Sequence, residues 1–326
     1  MRKPASPSVP PVPPTPQQKR RAATRRLFLR LCGAATTVAV AAPVEARYIE
    51  PFAVEMTKHD AFLPHLPLDL DGMVVAHLTD VHRGPITPDA VIQQAIARTV
   101  AANPDLIIHT GDFVASHPDD ATAFAKMLQP LAPRFGSWGC LGNHDYAIDA
   151  DAIAKAMEAG GVWMLRNTSA QAVNGLWLAG IEDTLRGRPD AKAALASVKQ
   201  DAALLFLTHN PVGIWGASGR KCVAFAGHTH GGQILIPGLP TPMPPGMDGF
   251  PLVAGWGVFD QAGLYVSRGV GMGMAPLRFR CRPEVALVTL HRGEAAPFTR
   301  PGLAGRAARK AVRVAKRAYH ALHDAR

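Results

Sequence analysis

The sequence predicts a mixed α/β sandwich, and three observations predict it. Short apolar runs recur from about residue 73 to residue 290. Helix-sized stretches separate the early runs. The late runs follow one another across turn residues alone. Interleaved helices set strands parallel in a sheet, whereas consecutive strands complete a sheet without them.

In chain order the candidate strands are MVVAHLTD, DLIIHTGD, SWGCLGN, VWML, LWLAGIED, LLFLTHN, CVAFAGHT, GQILIP, LYVSRG and VALVTL. The candidate helices cover residues 88–102, 119–131, 149–159 and 190–198. Several open on Asp or Pro-Asp, which suits the exposed amides of a first helical turn. One long Pro/Gly-rich segment, PGLPTPMPPGMDGFPLVAGWG over residues 237–257, carries Leu239, Met243, Met247 and Phe250. Loops of this length inside a compact domain are usually functional or disordered. Because it directly follows the paired histidines at 228 and 230, this loop is expected to lie over them.

The 326 residues are 48% hydrophobic, enough for a sizeable core. A net charge of +10 would suit nucleic acid, but its placement argues otherwise. Residues 1–30 hold eight Lys/Arg and no acid, and residues 300–326 hold eight Lys/Arg against one Asp, which leaves the middle of the chain at −5. A nucleic-acid-binding core would carry its basic patch on the fold itself. Three segments follow: an export signal over residues 1–46, a folded domain over 47–298 and a basic tail over 299–326.

The first tail opens Pro-rich and charged, too poor in apolar groups to pack. Arg25 and Arg26 with Phe28 and Leu29 resemble a twin-arginine signal, an address read by export machinery. A weakly apolar run over residues 31–42 and the small-residue triplet Val44-Glu45-Ala46 complete the pattern. The expected location is periplasmic or membrane-associated. Cys140, Cys222 and Cys281 lack paired spacing and read as buried small hydrophobes. The second tail, with Arg306, Arg309, Arg313 and Lys316 at helical intervals, reads as a basic amphipathic helix. It would be either a solvated or core-docked helix or one laid on an anionic membrane surface.

Five strand ends carry the chemistry: HLTDVHRG gives Asp80 and His82, and IHTGDFV gives Asp112. LGNHDY gives Asn143, His144 and Asp145; FLTHNP gives His209; AGHTHGG gives His228 and His230. Carboxylates and imidazoles without thiolates suit two divalent ions of the Mn, Fe or Zn kind. A paired site needs a bridging carboxylate, and Asp112, following Gly111, is placed for it. His144, beside a ligand and followed by Asp145, suits a proton donor oriented by an acid. His228 and His230 are expected to serve different ions, with Gly231 and Gly232 clearing space beside them. His77 and His109, inside strands, read as packing residues, and His59, His65 and His117 as loop residues. Arg83 is a candidate for substrate phosphate, as are Arg268 and Arg278, with surface pairing the plainer reading of each.

The order D-x-H, GD, GNHD, H, GHTH resembles the calcineurin-like metallophosphoesterase superfamily, in its exported bacterial phosphodiesterase branch. The resemblance implies a four-layer αββα sandwich with two mixed sheets. It also implies one ion on Asp80, His82, Asp112 and His230, and another on Asp112, Asn143, His209 and His228. His144 would then donate to the leaving group, Asn143 and His144 would contact substrate, and a metal-bridging hydroxide would attack phosphorus. The stretch GDFVAS lacks the ending typical of protein phosphatases, so phosphodiester or pyrophosphate bonds are expected. The apolar loop and basic tail add the expectation of a lipid-linked substrate such as UDP-diacylglucosamine. The alternatives are a phosphomonoesterase on small exported phosphates and a non-catalytic scaffold of the same fold.

Overall fold

A computed structural model describes residues 41–247 and 249–294. The export signal falls almost wholly, and the basic tail wholly, outside the described residues. The chain divides into two compact units, Met1–Glu45 and Ala46–Arg326, and the second carries everything below.

Two six-stranded mixed sheets form its centre. The first holds β1 (Glu55–Leu63), β12 (Glu284–Arg292), β2 (Met73–Leu78), β3 (Leu106–His109), β4 (Ser137–Gly139) and β5 (Val162–Met164), in that order across the sheet. The second holds β10 (Gly255–Phe259), β11 (Ala262–Val266), β9 (Val223–Ala226), β8 (Ala203–Leu207), β7 (Leu176–Gly180) and β6 (Thr168–Val173). Helices α1 (Asp89–Ala102), α2 (Asp119–Met127), α3 (Asn143–Ile148) and α4 (Ala150–Ala159) follow strands of the first sheet, and the short α5 (Ala191–Leu195) belongs to the second.

Burial explains why the central strands read as unbroken apolar runs. Alternate residues of one strand enter different cores, because both faces are covered. Ile107 packs outward among α1, α2 and α4 residues such as Ile92, Phe124 and Ile153. Its neighbours Leu106 and Ile108 face inward onto Leu205, Leu207 and Phe225 of the other sheet. Leu204 and Phe206 point the opposite way, to a third core with Ile214, Trp215 and Phe250. Three cores between four layers make the αββα sandwich that the resemblance implied.

Three strands lay hidden in the sequence and one expected strand is absent. β1, β6 and β10 are polar or Gly-rich edges of their sheets. GQILIP, in contrast, leaves Gln233 in the left-handed region and has as its β-pairing a single isolated bridge from Ile234 to Phe279, while the Gln233 side chain donates to the Ala275 and Leu277 carbonyls. β1 also places His59 in a strand, not a loop, where its Nε2 lies 3.0 Å from the Tyr265 hydroxyl. The 237–257 loop is partly core, since Met247 and Phe250 are buried, while Leu239 and Met243 stay exposed. The three cysteines are free and buried.

The segment after β11 is held by a buried cation. Arg278 is fully buried, and its guanidinium donates to the carbonyls of Arg268 (2.8 Å), Gly269 (3.0 Å), Gly271 (2.6 Å) and Cys281 (3.0 Å). It is thus a scaffold for its own loop and does not reach substrate phosphate. Arg278→Met strands these carbonyls in the interior, which costs about 3 kcal/mol or more. A urea melt that shows less than about 1 kcal/mol of loss would remove this role.

Candidate metal centre

Parallel pairing of β2 with β3 and β4, and of β7 with β8 and β9, sets the carboxyl ends of each group at one edge. From those ends the chain delivers Asp80, His82, Asp112, Asn143, His209, His228 and His230, all buried. Their donor atoms gather as Asp80–His82–His230 and as Asp112–His209–His228, with a third group, His82–Asp112–His144, between. Asp112 and His82 thus occur beside both neighbours, and His228 and His230 fall in different groups.

Five of these residues adopt a left-handed backbone: Asp80 (φ 51°), His82 (45°), Asp112 (53°), His228 (70°) and His230 (50°). Side chains seldom occupy that region, which is entered mostly by Asn, Asp, His and Gly, and clusters of it mark functional sites. The turn behind each strand end is what aims its side chain inward.

The arrangement of lone pairs fits cations. The Nε2 atoms of His82 and His230 meet at 3.0 Å, and the Nδ1 atom of each has no hydrogen-bond partner. His209 Nδ1 lies 2.6 Å from the Thr110 carbonyl and must donate there, which aims Nε2 at Asn143 Oδ1 (3.0 Å) and Asp112 Oδ2 (3.2 Å). His228 Nε2 donates to the Pro245 carbonyl at 2.9 Å, leaving Nδ1 for the site. Acceptors facing acceptors require a proton or a cation between them. Burial holds His82 near a pKa of about 3 and His228 near about 4, so both are neutral and able to ligate. Burial opposes ionisation of Asp112, yet His209 overrides it and keeps the carboxyl well below its usual range. His209 is in turn raised to about 10, the pull of Asp112 outweighing burial.

A buried hydrogen-bond chain supports Asp80. Thr79 Oγ1 donates to Asp80 Oδ2 at 2.9 Å, receives from Thr110 Oγ1 at 2.8 Å, and Thr110 Oγ1 lies 2.8 Å from His77 Nε2. The His228 amide adds a bond of 2.9 Å to the same carboxylate. Burial pushes Asp80 up to about 6 in spite of these donors. Partners behind a ligand commonly change metal affinity by 10–100-fold. Thr79→Val is therefore expected to weaken metal binding about tenfold, read by titration calorimetry, and unchanged affinity would refute the support.

His144 is half-buried at the mouth, its ring edge-on to His82 at 4.6 Å, with no hydrogen bond engaging that ring among the described residues. Its amide donates to Asp112 Oδ1 at 2.8 Å. Asp145 does not orient this ring as expected. Its carboxylate accepts the amides of Gly142 (2.8 Å), Asp112 (2.8 Å), Phe113 (3.0 Å) and Val114 (3.4 Å), tying the GD turn to the GNHD turn. Asp145 is a positioning residue for two ligands.

Arg83 takes the plainer of its two expected readings, ion pairing, and not the phosphate-binding one. Its guanidinium is engaged by Asp120 at 2.6 Å and Asp89 at 3.1 Å, on the α1–α2 side. Arg268 pairs with Glu55 and Glu284. His77 and His109 are buried in strands as expected. Gly231 and Gly232 do not clear the metals: a Cβ on Gly231 would meet Arg268 and Cys281, and one on Gly232 would meet Thr241. It is Gly273 whose Cβ would stand 2.7 Å from His230 Nε2.

The site opens into a cavity of about 480 Å³ lined by Asp112, Asn143, His144, His228 and His230 on its floor. Leu185, Arg186, Pro244, Pro245 and Met274 form its walls. Neither Leu185 nor Arg186 belongs to an expected motif; the sole signal was their place after a strand end, in GIEDTLRG.

Residues 73–232 match the family model described as calcineurin-like phosphoesterase. The chain is 31% identical over 257 residues to the metallophosphoesterase YkuE of Bacillus subtilis strain 168, covering 75% of this chain and 88% of that one. It is 30% identical over 276 residues to the phosphodiesterase YaeI of Escherichia coli K12, covering 82% and 99% respectively. A UDP-2,3-diacylglucosamine pyrophosphatase, LpxG of Chlamydia trachomatis, is 26% identical over 316 residues, covering 78% of this chain and 96% of that one.

Proposed function

The chain belongs to the calcineurin-like metallophosphoesterase family, a family of hydrolases, and on that premise we propose that it cleaves phosphodiester or pyrophosphate bonds in an amphiphilic, lipid-linked substrate with two divalent ions. The observation that carries the ion requirement is the convergence of buried imidazole nitrogens and carboxylate oxygens into three overlapping groups at one edge of the sheets. Such ions, of the Mn, Fe or Zn kind, would when bound supply charge neutralisation at phosphorus and an activated water.

The chain's own residues do the rest. Asp112 Oδ2 lies 3.4 Å from His82 Nε2 of one donor set and 3.2 Å from His209 Nε2 of the other, so Asp112 would be the shared ligand. Asp80, His82 and His230 complete one set, and Asn143, His209 and His228 the other. The neutral amide of Asn143 keeps the negative charge low. His144 stands over the floor beside His82 and gives a proton to the departing oxygen. Asp145 keeps the Asp112 and Asn143 turns in register through its four amide bonds.

Two features support an apolar substrate moiety. Leu185 and Met274, 41% and 60% exposed, line the same cavity as the floor residues, beside Pro244 and Pro245. The LpxG similarity points to a lipid-linked pyrophosphate. The test compares lipid-linked pyrophosphates with bis-p-nitrophenyl phosphate in Mn²⁺. No hydrolysis of either refutes the hydrolase assignment, and equal kcat/KM refutes the lipid preference.

Residues 1–46 are proposed to direct export, which places the enzyme in the periplasm or at its membrane face. Replacing Arg25 and Arg26 by Lys and fractionating cells tests this; unchanged export refutes it. The basic tail is proposed to hold the enzyme at anionic lipid, and equal liposome co-sedimentation with and without residues 300–326 refutes that. Among the described residues no helix is long and apolar enough to cross a membrane.

A further inference from the structure

The loop after β7 is built to hold one arginine over the site. Asp183 is fully buried, and its Oδ2 accepts the amides of Leu185 (2.9 Å) and Arg186 (2.8 Å). The Asp183 carbonyl accepts the Gly187 amide at 2.9 Å. The loop's two ends are pinned by Asn167, whose Oδ1 accepts the amides of Glu182 (3.0 Å) and Asp190 (2.9 Å) and whose Nδ2 donates to the Arg188 carbonyl at 2.8 Å. Glu182 binds the Arg188 amide at 2.9 Å and the Arg166 guanidinium at 3.2 Å. This network fixes the tip, and the tip presents Leu185 and Arg186 to the cavity.

Arg186 is exposed and, among the described residues, its guanidinium meets no acid. Other arginines near the two sheets are engaged: Arg83 by Asp89 and Asp120, Arg166 by Asp151 and Glu182, Arg268 by Glu55 and Glu284, and Arg278 by carbonyls. Among the described residues, Arg186 is also the only Lys or Arg lining the cavity. A rigid loop that carries an unpaired guanidinium into a phosphoesterase cavity is preorganised for an anion, and the guanidinium fork matches phosphate oxygens two at a time. The scissile phosphoryl group already has the ion site and His144 for its charge.

We propose that Arg186 is a specificity-determining residue that binds the second, non-scissile phosphoryl group of a pyrophosphate-bridged substrate, and so selects pyrophosphates over simple diesters. The assignment rests on the hydrolase reading above. It separates from it by experiment, because binding is measured without turnover.

Methylenediphosphonate and methylphosphonate, which are not hydrolysed, are titrated by calorimetry into the Mn²⁺-loaded full chain in excess Mn²⁺. The wild type is expected to bind the diphosphonate at least about tenfold more tightly, the scale of a charge-assisted hydrogen bond. Arg186→Gln brings the two affinities within about twofold of each other, Arg186→Lys retains part of the preference, and Arg188→Gln, an exposed neighbour, retains all of it. An unchanged preference in Arg186→Gln overturns the assignment. So does absence of preference in the wild type, or an equal loss for both probes, which would put Arg186 on the scissile group. A wild type that shows the Arg186-dependent preference but hydrolyses neither a lipid-linked pyrophosphate nor bis-p-nitrophenyl phosphate would leave this assignment standing and refute the hydrolase reading.

Discussion

Asp112→Asn folds normally, retains at most one divalent ion per chain and loses at least about 1,000-fold in kcat/KM, since a shared carboxylate supplies several kcal/mol of charge stabilisation. The size of the effect follows from where the two oxygens point. Oδ1 accepts the His144 amide at 2.8 Å, while Oδ2 lies 3.2 Å from His209 Nε2 and 3.4 Å from His82 Nε2. An amide keeps the first bond, and with it the junction of the two turns. It removes the charge and replaces one oxygen by a donor that no cation accepts. Elemental analysis of the purified variant gives the ion count, and two ions per chain would end the bridging assignment. A melting temperature close to wild type shows that the loss is local.

His144→Ala has the opposite signature. Both ions are retained, and turnover falls at least about 100-fold on a substrate with a poor leaving group, the usual scale of general acid catalysis. The defect shrinks on a p-nitrophenyl ester, whose leaving group departs without a proton. Only the His144 backbone holds Asp112, so alanine leaves that contact intact. Helix α3 also tolerates it, because alanine is the best helix former. Unchanged turnover with the poor leaving group would remove His144 from the reaction.

The donor set was legible because ligands must be particular residue types at the ends of particular strands. A run such as LIIH or LLFL announces a strand covered on both faces, and the polar residues after it have few other reasons to be there. The sheet edges were not legible for the converse reason. TSAQAV in β6 and GWGVF in β10 are edges in partial contact with solvent, and such strands lack the apolar run that gives a central strand away. Asp145 was misread because adjacency in sequence was taken for contact, whereas the start of α3 points its carboxylate back at four amides. Arg186 could not be found from its neighbours at all. Its significance comes from Asn167 and Asp183 folding the loop, and from the absence of an acid beside it.

The left-handed backbone at Asp80, His82, Asp112, His228 and His230 limits which elements the site can ever accept. Each such residue costs on the order of 1 kcal/mol, a cost that aspartate and histidine soften by local hydrogen bonding and that cysteine or glutamate would meet in full. Engineering a thiolate into one of these turns to favour softer ions would therefore add about 1 kcal/mol of backbone strain to whatever the change of ligand cost. At the proposed centre, the donor atoms and the dihedral angles that carry them would favour the same hard and borderline cations.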